Sequence, residues 1–148
     1  MAAASLLNPP AVQAAPSLAR GTAAVQGLYY LGTGVWPLVS LDAFLAVTGP
    51  KTDLWLVQAF GGLVAVVGIA LLVAAWRGVS AEAVTLAVGG ALALAAVDVV
   101  FVSKRVIGPV YLLDAVAEVG LLAGWGLAAA RAVHRHDTVT FPASGLHP

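Results

Sequence analysis

The stretch LWLVQAFGGLVAVVGIALLVAAW, Leu54 to Trp76, decides the fold: it runs 23 residues without a charge, Gln58 is its one strongly polar side chain, and Arg77 follows directly. A bilayer's hydrocarbon core is about 30 Å thick and a helix rises about 1.5 Å per residue, so about 20 apolar residues make one crossing. The segment is long enough to cross completely. The rest of the chain has the same character: of 148 residues, 61% are hydrophobic and 9% charged, whereas soluble domains carry about 25% charged residues. That balance describes a chain solvated by lipid.

Three further spans follow from the same reasoning. GTAAVQGLYYLGTGVWPLV, about residues 21–39, ends at Trp36 and Pro37, an interfacial aromatic and a helix breaker. AEAVTLAVGGALALAAVDVVFV, 81–102, is capped by Ser80 and followed by Lys104 and Arg105. The fourth runs from Pro109, a favoured first-turn residue, to about residue 132. Between the first two, Ser40 to Thr48 reads as a short interfacial helix closed by Gly49 and Pro50, with Thr52 or Asp53 able to cap the next helix.

The expected fold is therefore all-α: a four-helix transmembrane bundle over residues 21–133, with a short interfacial helix in the first loop. Residues 1–20 lack the basic start and long apolar run of a secretory signal and read as a disordered N-terminal tail, and 134–148 as a disordered C-terminal one. An even number of spans puts both termini on one side of a cell membrane. Arg20, Arg77, Arg131 and Arg135 fall on that side, against Lys51, Lys104 and Arg105 on the other, so the excess of basic residues places the termini in the cytoplasm.

Several function classes drop out. Net charge is zero and the basic residues are scattered, which removes a nucleic-acid binder. Without cysteine there is no disulfide, thiolate metal site or iron–sulfur cluster. Every histidine lies in the C-terminal tail, so no Ser-His-Asp triad assembles, and the H-x-H of His134 and His136 reads as solvated. No cofactor or metal is expected.

Polarity inside the spans is the informative residue. Asp98 lies five residues before Ser103, Asp114 five after Pro109 and Gln58 five after Asp53, which sets all three roughly 7 Å below one membrane face. Glu118 sits one turn deeper, and its i,i+4 spacing from Asp114 puts both on one stripe of the helix. An ionised Asp at a span's centre costs about 2.5 to 3.5 kcal/mol, and two carboxylates about 6 Å apart repel by roughly 3 kcal/mol at an effective dielectric of 20. Relief comes from a proton or a cation. The reading has Asp98 and Asp114 ionised and paired with Lys104 and Arg105, and Glu118 carrying the proton. Gln26, Tyr29, Tyr30 and Tyr111 are candidates to line the same cavity. The alternative is a structural ion-pair network tying the third span to the fourth.

Small residues recur at four-residue spacing: Gly61 with Ala65, Gly89 with Ala93, and Gly120 with Gly124. They let helix backbones approach, either within one bundle or in a homo- or hetero-oligomer. Membrane lipids are the remaining expected partners.

The segments YYLGTGVWPL, AVTGPKTDLWLV and PVYLLDAVAE resemble a family of small, functionally uncharacterised bacterial membrane proteins with four predicted spans. The resemblance covers about residues 25–125 and implies the four-span architecture and a bacterial inner membrane, with no activity to carry over. Three functions stay open: a module binding or transporting a small polar or cationic ligand or a proton at the acidic cluster; a structural or accessory subunit of a membrane complex; and, last, a membrane enzyme using Asp114 and Glu118 as acid and base on a lipid-like substrate.

Overall fold

A computed structural model describes residues 17–139, with side chains through residue 134, and these residues form five α-helices and no strand. They are α1 (Ser17–Val39), α2 (Leu41–Thr48), α3 (Leu54–Arg77), α4 (Ala81–Ser103) and α5 (Tyr111–Val139). α3, α4 and α5 are each long and apolar enough to cross a membrane, and α1 qualifies when taken with α2, from which it is bent by 111°. This is the architecture of a polytopic membrane protein. Trp55 and Trp76, 70% and 79% exposed, stand at opposite ends of α3, about 32 Å apart along the axis, the separation that two interfacial aromatics need.

The bend has a local cause. Pro37 removes a donor from the last turn of α1, and Ser40 then leaves helical geometry at φ −151° and ψ 77°. The edge-to-face contact of Trp36 with Phe44, ring centroids 5.5 Å apart, holds α2 folded back. Gly49, at φ 84°, closes α2, its N–H bonding Leu45 O. Lys51 Nζ donates to Thr48 O at 2.8 Å and Gly49 O at 3.1 Å, filling carbonyls that the helix end leaves free.

Helix ends differ from expectation in places. α1 is already helical at Ser17, the first described residue, and Arg20 is anchored, its guanidinium donating to Ala75 O at 2.7 Å and Trp76 O at 2.8 Å across the end of α3. At the other end of the chain, α5 starts at Tyr111 and continues to Val139. Pro109 belongs to a tight turn before it, in which Tyr111 N bonds Gly108 O and Leu112 N bonds Pro109 O. The tails expected over 1–20 and 134–148 fall mostly on 1–16 and 140–148, outside the described residues. Ser80 caps α4, accepting from Ala83 N at 3.3 Å, whereas Asp53 holds the cap position of α3 without a side-chain cap bond.

α1 packs along α3, α4 along α5, and α1 also meets α5. The first contact is a seam of glycines. A Cβ built on Gly34 would lie 2.5 Å from both Ala65 N and Gly61 O, and one on Gly68 would lie 2.6 Å from Leu31 N. Gly61 faces Gly34 O and Gly27 faces Gly68 O in the same way. The pairs 27/68 and 34/61 are seven residues apart on each antiparallel helix, two turns that return the small residue to one face. In lipid such backbone approach, gaining dispersion contact, substitutes for the missing hydrophobic drive. The core beside it gathers Tyr30, Leu71, Ala87, Leu121 and Trp125.

Candidate functional site

The acids of α5 meet tyrosines of α1. Tyr29 Oη donates to Asp114 Oδ1, and Tyr30 Oη donates to Glu118 Oε2 at 3.0 Å. Asp114 and Glu118 share one stripe of α5, as their spacing requires. On α1 the adjacent tyrosine rings diverge by 48°, their centroids 6.2 Å apart, and so reach two successive turns of the facing helix. Asp98 of α4 is an electrostatic neighbour of Asp114 and Glu118.

Burial is deep. Glu118 is fully buried and Asp98 is 5% exposed. Glu118 Oε1 and Asp98 Oδ2 have no hydrogen-bond partner among the described residues. A buried, unsatisfied oxygen costs about 1 to 3 kcal/mol, more if it carries charge, and ionised carboxylates about 4 Å apart repel by about 4 kcal/mol at an effective dielectric of 20.

Asp114 and Glu118 are among the residues lining a cavity of about 630 Å³, within the 300 to 1,000 Å³ or so of small-molecule sites. Its inner end carries Tyr29, Tyr30, Asp114 and Glu118; its walls include Trp36, Phe44, Phe60 and Leu94; Lys51, Thr52 and Asp53 line it at the connection between α2 and α3. Lys51 Nζ lies 5.4 Å from the centre of the Tyr111 ring, a cation–π contact that joins this connection to the start of α5. The site is thus an apolar, aromatic chamber with a carboxylate floor.

A second polar contact braces it. Gln26, fully buried, donates from Nε2 to Ala87 O at 2.8 Å and accepts on Oε1 from Trp125 Nε1 at 2.7 Å, linking α1 to α4 and α5.

The residues singled out by sequence divide accordingly. Asp98, Asp114 and Glu118 come together, Tyr111 lines the cavity, and Gln58 is exposed on α3 away from it. The tyrosine bonds correct the expected pairing with Lys104 and Arg105. Lys104 Nζ lies 5.7 Å over the Phe101 ring, and Arg105, exposed at φ 58°, closes α4 in a left-handed conformation. Its N–H bonds Val102 O and that of Val106 bonds Phe101 O, the pattern of a Schellman helix end, so the backbone turns away at this point. Of the spaced small residues, Gly61 lies in the α1–α3 seam and Gly124 meets Thr22, while nothing stands within 4 Å of a Cβ built on Gly89 or Gly120. His134 is exposed, and the side chain of His136 lies outside the described residues.

Sequence reading overlooked Trp36, Phe44 and Lys51 as parts of the cavity, because their role depends on α2 folding back. Gly27, Gly34 and Gly68 were also overlooked, although their seven-residue spacing was a usable signal. Compared with known families, curated proteins and solved structures, the chain shows no match.

Proposed function

We propose that the protein is a four-span bundle of a bacterial inner membrane, with α2 lying at the interface and both termini in the cytoplasm, and that it binds a small organic cation in the cavity beneath α2. Glu118 carries this reading: it is fully buried, it lines the cavity, and its Oε1 has no donor among the described residues. A cation there supplies the missing partner. The aromatic walls favour an organic cation through cation–π contact, whereas a small inorganic cation requires a shell of oxygens. Glycine faces at Gly89 and Gly120, open in the single chain, are where a second copy or another membrane protein would pack.

The test is equilibrium dialysis of the purified full chain, in detergent, against labelled tetraphenylphosphonium. Saturable binding is expected, weakened about tenfold or more by Glu118→Gln and Asp114→Asn, a change of at least about 1.4 kcal/mol. Absence of saturable binding overturns the reading. So do variants that lose thermal stability while binding as before, since the acids then serve as a brace between helices. That structural reading has one observation in its favour: the Tyr29 and Tyr30 bonds tie α1 to α5.

A further inference from the structure

On the premise that the cavity is a cation site, we propose that uptake is an exchange: one organic cation binds beside Glu118 and one proton leaves the cluster of Asp98, Asp114 and Glu118. Three carboxyl groups present six oxygens, and tyrosine hydroxyls serve one on Asp114 and one on Glu118. Asp98 adds a third buried carboxyl group beside the other two, and three such charges are not held together in apolar surroundings without a proton or a cation. Glu118 Oε1 and Asp98 Oδ2, both buried, receive no hydrogen bond among the described residues.

The groups facing this cluster are few. α1 supplies the neutral hydroxyls of Tyr29 and Tyr30, α4 supplies Asp98, and α5 supplies Asp114 itself with Tyr111 at the rim. Body residues of α3 that line the cavity are apolar, and from α2 Thr48 is the polar one. Lys51 and Asp53 sit at the mouth, where the Lys51 ammonium is engaged by Thr48 O, Gly49 O and the Tyr111 ring. Protons therefore do inside the chamber what a counter-cation does elsewhere. A bound cation beside Glu118 Oε1 takes over that role. Retaining the proton as well would add an uncompensated charge to apolar surroundings. With one positive charge entering and one proton leaving by the mouth, the net charge of the site is unchanged.

Tetraphenylphosphonium tests this directly, because it is permanently charged and has no proton to give. Titrated into the full chain in weakly buffered detergent, it should release about one proton per cation bound, and its apparent affinity should rise about tenfold per pH unit across the exchange range. Asp98→Asn leaves the cavity lining intact; it should keep binding and shift that pH profile. Binding without proton release, with affinity independent of pH, overturns the exchange and leaves the cation site standing. Binding in Asp98→Asn with an unchanged pH profile overturns the shared-proton cluster. No saturable binding at all removes the premise.

Discussion

Gly34→Ala should force α1 and α3 apart. The added Cβ falls 2.5 Å from Ala65 N and Gly61 O, about 0.9 Å short of the 3.4 Å at which ordinary contact begins. Both obstacles are backbone, so no rotamer change relieves the clash and the helices must separate by roughly that amount. A gap of this size forfeits about a quarter to a half of each contact's dispersion energy along the seam. Overpacking of this kind costs about 1 to 3 kcal/mol, and alanine's better helix propensity returns up to about 1 kcal/mol. With the full return the net loss is up to about 2 kcal/mol. Gly62→Ala, next to the seam but with nothing within 4 Å of its Cβ, should be neutral or stabilising by up to about 1 kcal/mol. Because Gly62→Ala shares the propensity gain, Gly34→Ala should fall about 1 to 3 kcal/mol below it. Unfolding in mixed micelles by SDS titration, followed by far-UV circular dichroism, measures the difference. Gly34→Ala with Gly61→Ala should lose less than the sum of the single losses, because both substitutions open the same gap. If Gly34→Ala unfolds within about 0.5 kcal/mol of Gly62→Ala, the glycine seam is not what joins these helices.

Gln26→Leu should destabilise by about 1 to 3 kcal/mol, since it leaves Trp125 Nε1, in a residue only 5% exposed, without its acceptor; an unchanged SDS midpoint would show that this buried bond contributes nothing. Arg105→Gly should stabilise by about 1 kcal/mol, because a non-glycine residue at φ 58° pays a left-handed penalty that glycine does not; loss of stability would instead mean that the guanidinium holds something in place.

The legibility of this chain follows the kind of force involved. Helix existence was readable throughout, since apolar length and caps such as Ser80 are local properties of the sequence. The stripe that Asp114 and Glu118 share on α5 was readable too, because helix periodicity sets it. Their partners were not. Lys104 and Arg105 lay close in sequence, and charge suggested them, yet a left-handed turn at Arg105 ends α4 while the neighbouring helix brings hydroxyls to the carboxylates. Pairings between helices depend on which faces meet, and only the glycine spacing encoded that.

That dependence explains why α1, which does not pass as a membrane span without α2, is the helix around which the site is built. Gly27 and Gly34 commit one face of α1 to α3. The adjoining stripe, Thr22, Gln26, Tyr29 with Tyr30, and Thr33, runs at three- and four-residue steps, so it forms one continuous polar line. With one face fixed on α3, much of this line turns toward α4 and α5. Thr22 then meets Gly124, Gln26 meets Trp125 and Ala87, Tyr30 meets Glu118 and Tyr29 meets Asp114, an antiparallel arrangement in which residues 22–26 of α1 face 124–125 of α5 and residues 29–30 face 114–118. Thr33 instead returns its hydroxyl to Tyr29 O at 2.8 Å, within α1. The polarity that weakens α1 as a solitary span is thus drawn into contacts with its neighbours. The acids of α5 are tolerated at depth because that helix delivers their donors, so moving the seam by one turn would separate tyrosines from carboxylates and dismantle the chamber floor.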